Sequence, residues 1–314
     1  MDIVIVGPGA LGCLLAARLH QAGHCPTRLL DHDPDRAALL NRQGIILADG
    51  DSASAPLMIP TTPEPATVAG AGVVLLCVKA FALPGALAAI TPYVTPATLL
   101  IALQNGISHL ETLRALAGRC LPALGVSTEG ATLLAPGRVR SGGAGLTRLG
   151  YPEPPGPAEG DRLAAAAAQL SQAGIRSELS PDIQGELWRK LIINAGINAL
   201  TVIHDCPNGE LLERPEARRT MAQAAREAAA VAAAAGATIE DDPGALCEEV
   251  CRRTATNISS MLQDVRRGKP TEILAINGEV VRRAEEYGLA APINRDLLAQ
   301  VRQLSSFASS RPVS

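Results

Sequence analysis

Aromatic residues are almost absent from this chain, with one tryptophan, three tyrosines and two phenylalanines in 314 residues. Basic charge is not in excess either, since the net charge is −3 at pH 7. Without a basic stripe for phosphates or rings for base stacking, a nucleic-acid partner is excluded. No apolar run reaches the roughly 20 residues of a membrane-spanning helix, so no membrane partner is expected. The first strand starts at residue 2, which leaves no room for a signal peptide, and a cytoplasmic protein is expected. The cysteines at 13, 25, 77, 120, 206, 247 and 251 are odd in number and contain no C-x-x-C pair. Cys247 and Cys251 lie about one helical turn apart, but no histidine or further cysteine nearby completes a metal shell. Free buried thiols are expected there, and no metal. Asn257-Ile258-Ser259 matches a glycosylation acceptor, which a cytoplasmic chain does not present to that machinery.

What is present begins at once. Asp2-Ile-Val-Ile-Val6 is a short β-branched run that reads as a buried strand, and Gly7-Pro8-Gly9-Ala10-Leu11-Gly12 follows it. In this G-x-G-x-x-G loop Gly7 allows the tight turn, Gly9 lets the backbone approach a pyrophosphate, and Gly12 lets the next helix pack on the strand. Leu11, Leu14, Leu15 and Leu19 make that helix apolar, and a second strand, Thr27 to Leu30, comes after it. In this context the loop reads as a dinucleotide site.

Up to about residue 180, strand candidates (73 to 78, 99 to 102, 121 to 126) alternate with helical patterns, which predicts a parallel sheet wrapped by helices. Residues 130 to 150 read as an antiparallel edge or hairpin, and 151 to 160, with four prolines, as a loop. A helix (161 to 173) and a short strand (176 to 179) complete this part. Beyond Ser180-Pro181 every segment reads as helix: 182 to 203, 215 to 235, 243 to 267, 271 to 287 and 292 to 307. The expected fold class is therefore α/β, a Rossmann-type doubly wound sheet over residues 1–180 followed by an all-α domain over 181–314. Ligands on such sheets bind outside the carboxyl ends of the strands. Lys79 and Gln104-Asn105-Gly106 stand at two such ends, where a surface lysine and an ordinary turn are the plainer alternatives.

The most informative stretch is Glu186 to Ile203, which is apolar apart from a few positions. Lys190, Asn194 and Asn198 recur there every four residues, so on a helix they form one stripe, each about 6 Å above the last. Burying a lysine and two amides without partners costs several kcal/mol, on the order of 1–3 per group, so something polar should face them.

The chain resembles the ketopantoate reductase (2-dehydropantoate 2-reductase) family over essentially its whole length. The resemblance rests on Glu186-Leu-Trp-Arg-Lys190-Leu191 with Asn194 and Asn198, Cys206-Pro-Asn-Gly-Glu-Leu211, Asn257-Ile-Ser-Ser-Met-Leu-Gln-Asp264 and Thr271-Glu-Ile273. It implies reduction of ketopantoate to pantoate with NADPH on the route to pantothenate and coenzyme A, at a site between a Rossmann domain and a helical one. By the same resemblance Lys190 protonates the new alkoxide and Glu272 is the acid that acts near it. Asn194, Asn198, Asn208, Asn257 and Ser260 correspond to substrate contacts, and Lys79 and Asn105 to a pair at the cofactor and substrate rim. Taken alone, Glu272 also fits an acid on the solvated first turn of a helix that follows Pro270-Thr271.

Two positions depart from the family pattern. The second strand ends in Leu29-Leu30-Asp31, where NADPH enzymes carry a basic residue. A carboxylate suits the ribose hydroxyls of NAD(H) and repels a 2′-phosphate, while Arg28 and Arg36 lie close enough in sequence to restore NADP(H). Glu129 stands where the family commonly has histidine. The reading that follows is an oxidoreductase acting on a small-molecule 2-oxo acid, with monomer and homodimer both open. A reductase of another branched 2-oxo acid and a non-catalytic dinucleotide sensor are the alternatives, and an intact Lys190 with Glu272 counts against the sensor.

Overall fold

The computed structural model describes residues 1–49, 52–154 and 156–309. The chain divides into two compact units, one of Met1–Gln104 and His109–Ile183, the other of Asn105–Ser108 and Gln184–Ser314.

Among its described residues the first unit carries twelve strands: β1 (Ile3–Val6), β2 (Thr27–Leu30), β3 (Ile46–Asp49), β4 (Ser52–Ala53), β5 (Thr61–Thr62), β6 (Val73–Leu76), β7 (Leu99–Ala102), β8 (Leu121–Ser127), β9 (Ala131–Ala135), β10 (Arg138–Ser141), β11 (Thr147–Gly150) and β12 (Ser177–Leu179). Its helices are α1 (Ala10–Ala22), α2 (Pro34–Gln43), α3 (Leu83–Ile90), α4 (His109–Arg114) and α5 (Pro157–Gln172). Eight strands form one sheet in the order β12-β11-β8-β7-β6-β1-β2-β5. From β5 to β8 the strands are parallel, and β11 joins β8 antiparallel. This is the dinucleotide-binding order, in which the chain reverses direction across the sheet beside β1. The central strands β1, β6 and β7 are apolar throughout and buried along their whole length, as a sheet covered on both faces requires. Leu14, Leu19, Leu75, Ile101 and Leu163 are among the side chains that fill the core around them.

The expected hairpin within 130–150 is β9 with β10, which pair antiparallel, but both belong to a second sheet of order β4-β3-β10-β9. In the large sheet the antiparallel step is β11 on β8, and β12, parallel to β11, forms the edge. The proline-rich loop is shorter than expected, because α5 already starts at Pro157. Proline suits the first helical position, where no N–H partner is needed, and Glu159 reaches back to accept from the Gly156 N–H at 2.9 Å.

The second unit contains α6 (Ile183–His204), α7 (Pro215–Ala234), α8 (Pro243–Arg253), α9 (Ser260–Arg266), α10 (Asn277–Glu286) and α11 (Pro292–Ser309), and no strand among its described residues. Gly196 lets α6 pack tightly, since a Cβ there would lie 2.8 Å from Cys247 Sγ and 3.2 Å from Met221 O. Two expected long helices are broken. The span 243–267 stops at Arg253 because Gly209 and Asn208 donate backbone N–H groups to Ala255 O and Asn257 O, each at 3.0 Å. Ser259 then starts α9 by accepting from the Leu262 N–H. The span 271–287 holds a 3-10 turn, Ile273–Ala275, and leaves helical geometry at Ile276 (φ −109°, ψ −93°) before α10 begins.

Candidate active site

In the first unit the glycine loop leaves the centre of the sheet at Gly7, which takes φ +97° and sits where a Cβ would lie 2.7 Å from Val78 Cγ1. At Gly12 a Cβ would lie 2.1 Å from Gly7 O, so α1 can approach β1 this closely only with glycine. Gly9 differs, because an added Cβ would meet nothing within 4 Å. Pro8 is buried and its carbonyl accepts from Cys13 Sγ at 3.2 Å, while Ala10 and Leu11, partly exposed, open the helix. No side chain caps α1, and its first turn holds no acidic residue. The first N–H groups and the positive end of the helix are left to an anion, so the cradle fits the pyrophosphate of a dinucleotide.

Asp31, directly after β2, is fully buried. Its two oxygens accept from Arg36 Nε and Nη2, each at 2.5 Å, and from the Asp33 N–H at 3.1 Å. The carboxylate expected to face ribose hydroxyls is thus committed to a bidentate ion pair. The Arg36 side chain remains 34% exposed, and Arg28 turns instead toward Asp2 at 3.9 Å. Lys79, partly buried, starts the turn after β6. Sequence reasoning did not assign a role to Gln104, which is 3% exposed and donates to Leu76 O at 2.9 Å and Val78 O at 3.1 Å, tying down the end of that strand. An amide at the carboxyl end of an apolar strand was the available signal. The Glu129 carboxylate is turned inward to Arg18 Nη1 at 2.9 Å, an ion pair approached off the hydrogen-bond direction.

In the second unit α6 places Lys190, Asn194 and Asn198 on successive turns of one face, with Asn198 buried and the other two partly exposed. Glu272 is 5% exposed, so the solvated-helix alternative is not what the fold adopts. Its Oε2 accepts from Asn105 Nδ2 at 2.8 Å. Gly106 makes this approach feasible: it has φ +82°, and a Cβ there would lie 2.3 Å from Ala275 O. Loss of water lowers the Lys190 pKa to about 8, and the Glu272 carboxylate pulls in the opposite direction. Asn105, Glu272 and Lys190 thus lie within one unit, a buried carboxylate acting on an ammonium that has lost part of its water.

Toward the other end of α6, the Thr201 hydroxyl donates to Asn198 O at 2.7 Å and is 2.6 Å from Ser259 Oγ. Asn208 is buried, its Nδ2 donates to Thr254 Oγ1 at 2.8 Å, and its backbone N–H donates to Asn257 O. Asn257 and Ser260 are exposed, so the two serines of the motif divide their tasks: Ser259 is internal and Ser260 faces outward.

No described helix is long and apolar enough to cross a membrane. Residues 3–154 match the family described as ketopantoate reductase PanE/ApbA, and residues 182–305 match ketopantoate reductase PanE/ApbA C terminal. A 2-dehydropantoate 2-reductase of Halobacterium salinarum is 32% identical over 96% of this chain and 98% of its own length. The crystal structure of a PanE/ApbA family ketopantoate reductase from Ralstonia eutropha JMP134 superposes with a TM-score of 0.87 at 31% identity, covering 98% of this chain and 99% of that one. A D-mandelate dehydrogenase solved with NADH and anilino(oxo)acetate superposes with a TM-score of 0.89 at 26% identity, again over 98% and 99% of the two chains. With matches to both halves of the family and a full-length relative at this identity, the chain belongs to the ketopantoate reductase PanE/ApbA family.

Proposed function

We propose that this chain reduces 2-dehydropantoate (ketopantoate) to (R)-pantoate, with residues 1–180 holding a nicotinamide dinucleotide and residues 181–314 holding the oxo acid. Bound at the glycine loop, the dinucleotide supplies the hydride. The observation that carries the reading is the desolvated Lys190 beside the buried Glu272. A ketone oxygen gains negative charge as it is reduced, and an ammonium partly stripped of water both stabilises that charge and donates the proton. Glu272, steadied by Asn105, offsets part of the loss of water that would otherwise drive Lys190 neutral. Asn194 and Asn198 line the same wall as hydrogen-bond donors and acceptors, with Asn208, Asn257 and Ser260 at its far end.

The cuvette assay is ketopantoate with NADPH and with NADH in parallel, and turnover with neither cofactor would reject the reading. The likeness to D-mandelate dehydrogenase favours one competing substrate class, 2-oxo acids bearing an aryl group, so phenylglyoxylate belongs in the same assay. Glu129, the departure that would favour another branched 2-oxo acid, lends that reading no support, because its carboxylate is committed to Arg18.

For the cofactor we infer NADP(H). Asp31 is fully buried with both oxygens engaged by Arg36, whose guanidinium stays partly exposed after β2, next to the carboxylates of Asp33 and Asp35. Arg36→Ala should shift the kcat/KM ratio toward NADH by about 10-fold or more, since it removes a phosphate partner and bares the Asp31 carboxylate. An unchanged ratio would leave Arg36 with no task beyond neutralising Asp31.

Ser260 tests the substrate side. Its exposed hydroxyl is proposed to donate to the substrate carboxylate, so Ser260→Ala should raise KM for ketopantoate by roughly 10-fold and leave dinucleotide Kd alone. If KM does not move, the outward serine has no part in substrate binding.

A further inference from the structure

We propose that Asn277 is a positioning residue, fastening the turn that carries Glu272 to the helix that carries Lys190, Asn194 and Asn198. The proposal rests on the reading of Lys190 as the proton donor. Asn277 is the first residue of α10 and is fully buried. Its Nδ2 donates to Ala195 O at 3.0 Å and to Asn294 Oδ1 at 2.9 Å. Ala195 directly follows Asn194, so the amide grips α6 at the middle of its polar stripe.

Behind Asn277 the grip is braced. Asn294, also fully buried, donates through Nδ2 to Ala224 O at 3.0 Å and to Glu227 Oε2 at 2.8 Å. The Glu227 carboxylate in turn accepts from the Ile293 and Asn294 N–H groups, each at 2.9 Å. The bonds therefore run from α7 through the start of α11 and the start of α10 to α6. Asn277 Oδ1 is buried with no partner, which costs stability. A residue present only to fill this space would be apolar, and what the amide adds is direction.

The path from Asn277 back to Glu272 is short and stiff. Glu272 O accepts from the Ala275 N–H at 3.0 Å and the Ile276 N–H at 3.1 Å. On the other side of the turn, Gly106 leaves no room for a Cβ against Ala275 O. The Glu272 turn is thus held on one flank by residues 105–108 and on the other by Asn277. Releasing the second flank loosens the Glu272 carboxylate, whose negative charge holds the Lys190 pKa up against the loss of water that lowers it.

The chain has three lysines, Lys79, Lys190 and Lys269, so a protein labelled with 13C at the lysine side chains reports each ammonium separately by NMR. The apo protein is titrated as wild type and as Asn277→Ala, with Val231→Ala as a buried substitution in the same unit at a side chain that joins none of these hydrogen bonds. In Asn277→Ala the Lys190 titration should fall below about 8 by roughly one unit as Glu272 is released, and in Val231→Ala it should stay in place. A Lys190 titration in Asn277→Ala equal to that of the wild type overturns the proposal. Asn277→Ser, which keeps a polar atom but is too short to reach Ala195 O, is read by the same criterion if the alanine variant does not fold. Because the titration needs no substrate, a wild-type protein inactive on 2-oxo acids would count against the proposed reaction and not against the role of Asn277.

Discussion

Lys190→Ala is expected to lower kcat by about 10²- to 10⁴-fold while leaving the Kd for the dinucleotide nearly unchanged. The lost group acts on charge that develops at the substrate oxygen, and no cofactor contact is assigned to it. The pH profile gives the same prediction a second readout. Reduction requires the protonated amine, so wild-type kcat should fall as pH rises through about 8, the value to which burial lowers Lys190. The alanine variant should lack that limb. Steady-state rates from about pH 6 to 10 decide the matter, and a variant with near-normal kcat would remove Lys190 from the chemistry.

The second large effect is expected at Gly9. Gly9→Val should weaken dinucleotide binding by about 100-fold or more, since a pyrophosphate must approach the backbone there. The same substitution should barely change Tm, because a Cβ at this position meets no protein atom within 4 Å. Gly12→Val is the contrast: a Cβ 2.1 Å from Gly7 O cannot be accommodated without moving α1, so that variant should lose fold and binding together. Isothermal titration beside a thermal melt separates the two outcomes. If Gly9→Val keeps wild-type affinity, the loop is a turn and nothing more.

The parts of this molecule readable in advance were those written in local pattern. The strand-loop-helix at the N-terminus and the four-residue stripe of α6 each depend on neighbours within a few positions, and the structure places both as expected. The breaks at 254–259 and at Ile276 were not readable, because the residues there continue a helical pattern. What stops the helices comes from elsewhere in the chain, as when Gly209 donates to Ala255 O. The same holds for Asp31 and Glu129. Each was legible as a carboxylate in a telling place, but whether it faces a ligand depended on an arginine, Arg36 five residues on and Arg18 far back on α1.

The four residues Asn105–Ser108 belong to the helical unit although α4 and the strands beyond them return to the first. The partner of Glu272 is therefore made 167 residues before Glu272 itself. During synthesis this bond cannot close until nearly the whole chain has left the ribosome, so the proposed acid and its brace assemble among the last long-range contacts. A fragment beginning at Gln184 would contain every helix of its unit and still lack Asn105, leaving a buried carboxylate without its amide.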